Sequence, residues 1–206
     1  MYPSISCRSV YISCLLSVAG CSGIELPNVD AEVAASTAME QFDEDGDGSL
    51  DETELAACPA LKSASDEYDT NGDRQIDRDE LVRRLQLMFG RRAGLVSADC
   101  SITLNGRSLE GAKIRYVPEV FLGEGKIQIA EGVTNKDGMA HLGIASEQLP
   151  ADLRGHTLMQ VGLYRVEITH PSKKIPAKYN TSTELGFELH PDSHTGPDAT
   201  FNLRVK

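Results

Sequence analysis

The chain has 206 residues, enough for one sizeable core and a smaller module, and its 31 acidic against 20 basic side chains give a formal charge of -11. That charge is uneven: residues 25–80 hold 18 Asp or Glu against Lys62, Arg74 and Arg78, a balance of -15, while the remainder carries 13 acids and 17 bases, or +4. A strongly acidic module beside a mildly basic one argues against a nucleic-acid-binding protein, because phosphates attract a basic face.

Residues 1–20 carry a cation at Arg8, an apolar run from Val10 to Ala19, and small residues up to Cys21, the pattern of a signal peptide. The run is about half the roughly 20 residues that span a bilayer, so it does not predict a transmembrane helix. The stretch LSVAGC, Leu16 to Cys21, resembles the bacterial lipobox. The resemblance implies cleavage before Cys21, lipidation of its thiol, and a place on a membrane of the bacterial cell envelope; a secreted or periplasmic protein is the alternative. Residues 21–29 then form a lipidated linker. With Cys7 and Cys14 removed, Cys58 and Cys100 remain beside the anchor. One disulfide between them and two buried free thiols are both open.

Asp30 is placed to cap a helix running to Phe42, with Val33 and Phe42 on its apolar side. The next stretch, DEDGDGSLDETE, crowds seven acids into twelve positions from Asp43 to Glu54, and such a loop repels itself unless a cation neutralises it. Asp43, Asp45 and Asp47 stand at positions 1, 3 and 5, Gly48 at 6, Ser49 at 7, Asp51 at 9 and Glu54 at 12. A second stretch, DTNGDRQIDRDE, repeats the register from Asp69 to Glu80, with apolar Leu50 and Ile76 both at position 8. Each resembles the EF-hand calcium loop. The resemblance implies a calcium ligand set of Asp43, Asp45, Asp47, the Ser49 carbonyl, Asp51 and Glu54 in the first loop. In the second it implies Asp69, Asn71, Asp73, the Gln75 carbonyl, Asp77 and Glu80, with magnesium as a competitor for the same oxygens. It further implies that Leu50 and Ile76 pair the loops through a short strand bridge.

Position 6 of the second loop is Arg74 where glycine is expected, and Asn71 replaces a carboxylate, so the second site is expected to be the weaker. Only 14 residues separate Glu54 from Asp69. The helices between the loops must be short, with Pro59 starting one of them, and this compression speaks against the large opening motion of a calcium sensor. After Glu80, Leu81, Leu85 and Met88 or Phe89 recur at helical spacing up to Gly90.

Beyond the basic stretch GRRAG the periodicity changes to short alternating runs: SADCSITL, GAKIRYVPE, GKIQIAEGVT, GMAHLGI, GLYRVEITHP, TELGFELHP and DATFNLRVK. Asn105-Gly106 between the first two and Asp137-Gly138 between the third and fourth are hairpin turn signals. Seven strands in about 110 residues predict an antiparallel sandwich. ITLNGRSLEGAKIRYVPE, GVTNKDGMAHL and GLYRVEITHPSKKIPAKYN followed by TELGFEL are similar to the transthyretin-like, carboxypeptidase-regulatory-like module of bacterial envelope proteins. Hydrolases among such modules use catalytic His residues and a C-terminal Tyr-Arg-Gly-Ser, whereas this chain ends FNLRVK. Its five His residues, His141, His156, His170, His190 and His194, are scattered, with no nucleophile or acid at recognisable spacing. His190 and His194 read as solvated loop residues in preference to a transition-metal pair, and Lys173, Lys174 and Lys178 as a solvated turn.

The expected fold is an α+β multidomain chain: a small all-α EF-hand pair at 30–90, a hinge at 91–96, and an antiparallel seven-stranded β-sandwich at 97–206. The expected function is non-enzymatic, that of a calcium-binding envelope lipoprotein whose sandwich has a structural or adhesive role towards an envelope protein or polysaccharide. The alternatives are a calcium-dependent sensor that captures a peptide and a hydrolase-type sandwich.

Overall fold

The computed structural model describes residues 27–90, 94–193 and 196–205. The signal segment, Cys21, His194 and residues 91–93 of the hinge lie outside the described residues. Helix α1 (Ala31–Phe42) begins as expected: the Asp30 carboxylate accepts hydrogen bonds from the backbone N–H groups of Glu32 and Val33. Its buried stripe is Ala34, Ala35, Ala38, Met39 and Phe42. Val33 is instead 60% exposed. Nine residues at about 100° each place it on the opposite side of the helix from Phe42.

Three short helices follow, α2 (Glu52–Leu55), α3 (Pro59–Ser63) and α4 (Ser65–Tyr68), then the longer α5 (Arg78–Gly90), which buries Leu81, Leu85 and Met88. Cys58 is non-helical because Pro59 crowds the residue before it, so α2 cannot run on into α3. Between the helices lie two-residue strands, β1 (Ser49–Leu50) and β2 (Ile76–Asp77), paired antiparallel with Leu50 opposite Ile76. The expected all-α unit is therefore mixed, since three of its helices have four or five residues and a strand ribbon crosses its middle. The 14-residue connection leaves no room for longer helices.

The rest of the described chain is mostly strand. β3 (Leu95–Val96) lies in the stretch expected as hinge and pairs antiparallel with β9 (Met159–Gln160). β4 (Ala98–Leu104) turns through Asn105 and Gly106, with φ of 52° and 79°, into β5 (Arg107–Ser108). Positive φ at both positions matches a two-residue hairpin turn. That turn does not pair the first two long strands, because β6 (Lys113–Pro118) crosses to another sheet. β7 (Ala130–Val133), β8 (Met139–Leu142), β10 (Gly162–Thr169), β11 (Gly186–Leu189) and β12 (Ala199–Leu203) follow. β7 starts later than expected because the Gln128 N–H donates to the Gln160 side chain instead of a strand partner, and Ile127 turns inward.

One sheet has the order β11-β10-β6-β7 and is antiparallel throughout. The other is centred on β4, paired antiparallel with β5 and β8 and parallel with β12. The expectation of a wholly antiparallel arrangement fails at β12. Ala199 sits beside Cys100, far away in sequence, so no tight turn dictates direction. The Tyr116 ring lies tilted against Tyr164 and Phe187, with centroids 5.7 and 5.8 Å away, and Tyr116 reaches Cys100 of β4. On the opposite face of the first sheet, Gly186 and Glu188 meet α3 and α5. With helices on one face and the second sheet on the other, all four residues of β11 are buried. One apolar cluster runs through all three layers. No helix among the described residues is long and apolar enough to cross a membrane.

Candidate metal centre

Both acidic loops fold by one scheme. In the first, Asp43 ends α1 and accepts hydrogen bonds from Gly46 N through Oδ1 at 2.7 Å and from Gly48 N through Oδ2 at 3.0 Å. Asp45 accepts from Asp47 N at 3.1 Å, and Asp47 from Ser49 N at 2.9 Å. Gly46 and Gly48 have φ of 73° and 90°, which lets the chain curl around its own carboxylates. Asp51 caps α2, and Glu54 reaches back, accepting from Glu44 N at 2.8 Å and Asp51 N at 3.0 Å.

In the second loop Asp69 accepts from Gly72 N at 2.7 Å and Arg74 N at 2.9 Å. Asn71 accepts from Asp73 N, and Asp73 from Gln75 N. Asp77 accepts from Glu80 N, and Glu80 returns to Thr70 N at 2.8 Å and Asp77 N at 3.2 Å. The strand bridge β1–β2 joins the loops, with Ser49 Oγ donating to Gln75 Oε1 at 2.7 Å across it. All twelve residues named from the sequence thus belong to two matching turns, while Cys21 lies outside the described residues.

Chemically, the first loop suits a hard divalent cation. Asp43, Asp45 and Asp47 each place an oxygen within 4.8 Å of the others. Opposed ligands of a calcium ion stand about 5 Å apart, twice a calcium–oxygen distance of roughly 2.4 Å. The backbone N–H groups fix each carboxylate yet leave oxygen lone pairs for an ion. The second loop is less favourable: Asn71 Nδ2 donates to Asp73 Oδ2 at 2.8 Å, and Arg74 adopts φ 69°, a left-handed conformation that strains a residue with a Cβ.

A second polar group, not foreseen from the sequence, lies where the helices meet the first sheet. Arg84 of α5 pairs with Glu188 of β11 and lies 3.4 Å from Glu67 of α4. Glu119, which follows β6, is 5% exposed and lies beside Cys58 and 3.7 Å from Arg165. Burial pushes its carboxyl up to about 7, against the pull of Arg165. The Cys58 thiol is likewise pushed up, by burial first and then by Glu119. Cys58 and Cys100 are buried free thiols, which decides between the two readings left open above. The only hint of this joint in the sequence was Gly186 and Glu188 alternating with apolar residues in TELGFELHP, which reads equally well as a water-facing edge.

His190, expected in solvent, is buried, and its Nδ1 accepts from Asp192 N at 3.2 Å. His141 pairs with Asp99 at 2.5 Å on an exposed face. Lys178 stands 4.9 Å over the Tyr179 ring.

No protein-family model and no curated protein matches the chain. A crystal structure of a DUF3823 family protein from Parabacteroides merdae ATCC 43184 is a weak structural neighbour, with 14% identity and a TM-score of 0.33. The match covers 55% of this chain and about half, 47%, of that one.

Proposed function

We propose that the two loops are the calcium loops of an EF-hand pair and that the protein is a non-enzymatic, calcium-binding lipoprotein of the bacterial cell envelope. In this reading Cys21 carries the lipid anchor, and the β-sheets, as a transthyretin-like sandwich, serve a structural or adhesive role towards an envelope protein or polysaccharide. The observation that supports it best is the repetition of one hydrogen-bond scheme in two stretches, each closed by a glutamate at position 12, Glu54 and Glu80. Such a glutamate supplies two oxygens at once. Two calcium ions change the balance of residues 25–80 from -15 to -11 and relieve its self-repulsion. Outside the cell calcium is commonly millimolar, so dissociation constants on the order of 10⁻⁴ to 10⁻³ M suffice.

Native mass spectrometry and calorimetry test the reading. Two ions are expected on the wild type, one fewer on Glu54→Gln, and none tightly held when Glu80→Gln is added. An unliganded polypeptide in excess Ca²⁺ refutes it. The anchor is tested separately, by the mass of the N-terminal peptide from the native host: an unmodified Cys21 removes the lipoprotein part and leaves the calcium part standing.

A further inference from the structure

We propose that the sheet β11-β10-β6-β7 is the intramolecular target of the helical unit, so that calcium binding drives docking within the chain and not capture of a separate peptide. This rests on the calcium reading above.

Each loop is flanked by contacts with that sheet or with the turn that follows β6. Phe42, immediately before ligand Asp43, meets Phe121 edge-on at 6.2 Å, and Phe121 belongs to the turn Val120–Leu122. Five residues after Glu54, α3 lies on β11 so closely that a Cβ at Gly186 would stand 1.9 Å from the Pro59 carbonyl oxygen. Arg84, one turn after Glu80, pairs with Glu188 of β11, and Glu67, two residues before Asp69, joins that pair through Arg84 at 3.4 Å. The position of both loops is thus tied to the sheet from both sides. The apolar side chains that a helical pair would offer a peptide, Met39, Phe42, Leu61, Leu85 and Met88, are all buried. Val33 and Leu87, the exposed apolar residues of the long helices, stand outside this buried set.

If cation binding orders the loops, it also orders the contacts that flank them, and the coupling is reciprocal. Abolishing the docking weakens calcium binding by the factor by which calcium strengthens docking, and a partial weakening costs less. Cys58 gives a reporter within the chain, because its thiol is fully buried at the joint while Cys100 is buried between the sheets.

The experiment alkylates the full chain with N-ethylmaleimide, with calcium or with chelator, and maps the labelled cysteines by peptide mass. Calcium is expected to slow labelling of Cys58 at least tenfold and to leave Cys100 slow in both conditions. Gly186→Leu is expected to raise the calcium dissociation constant at least fivefold and to abolish the protection. Phe121→Ala, a milder change that guards against misfolding of the leucine variant, shifts both quantities the same way by at least twofold. The inference is overturned if native mass spectrometry shows bound calcium while Cys58 labels equally fast with and without it, or if both variants bind calcium with wild-type affinity. It is also overturned by a calcium-induced rise in apolar dye binding, the mark of external peptide capture. A wild type that binds no calcium overturns the calcium reading and this inference together.

Discussion

In the two loops the aspartates are exposed or half-buried and held by backbone N–H groups, with Glu80 alone buried beneath the second, whereas at the joint Glu119 and Glu188 are buried and face arginines. The loop aspartates keep lone pairs free, and water screens part, though not all, of their mutual repulsion. The joint acids have lost their water, so their charge is sustained by specific partners or is given up by protonation. One functional group therefore serves two ends in this chain: it accepts backbone hydrogen bonds that shape the surface turns, and it forms a fixed latch inside.

The sharpest break of that contrast removes a partner from the latch. Arg84→Met leaves Glu188 buried without its main ion pair and is expected to cost about 3–5 kcal/mol in thermal or urea unfolding. Adding Glu188→Leu recovers most of the loss, since an apolar pair of similar size replaces the ionic one.

The next effect is a pH dependence. The Glu119 carboxyl titrates near 7 in the folded protein and near its ordinary 4.5 when unfolded. Between those values the fold holds a proton that the unfolded chain has released, so the stability from this group is complete below pH 4.5 and is lost as pH rises through 7. The slope is on the order of 1.4 kcal/mol per pH unit at most. Glu119→Gln, measured against the wild type by melting from pH 4.5 to 8, is expected to lose this slope, whereas substituting the exposed loop acid Glu44 leaves it in place.

Smaller again is the strain in the second loop. Arg74→Gly frees a φ of 69° and is expected to add about 1 kcal/mol of stability after the extra freedom of the unfolded chain is discounted. Smallest is Glu32→Ala, which breaks an exposed pair with Arg78 at 2.7 Å. Melting should shift by less than about 1 kcal/mol, and the shift should vanish at high salt.

The two matching turns were legible in the sequence because each is built from twelve consecutive residues, and local spacing decides which side chains converge. Most of the longer strands fall within the alternating runs for the same reason, and Asn105 and Gly106 do turn with positive φ, but into the short β5 and not into β6, while β3 and β9 carried no such signal. What escaped was long-range. Val33 is hydrophobic, yet it stands half a turn out of phase with Phe42, so residue type alone puts it on the wrong side of the helix. The direction of β12 depends on a partner far away in the chain, which no turn signal encodes. The joint was invisible because a strand such as Gly186–Leu189 shows ordinary alternation until something covers its second face. Only then do a glycine and an acid that look solvent-directed become a close contact and a buried ion pair.

The parallel pairing of β12 with β4 also bears on how fast the molecule assembles. Leu50 and Ile76 meet across 26 residues, but Cys100 and Ala199 are 99 apart. Closing the larger loop takes more chain entropy and more time. Refolding should therefore proceed unevenly, with the ribbon between the acidic turns forming early and the last edge of the second sheet zipping shut late, leaving the β4 edge briefly open to other chains.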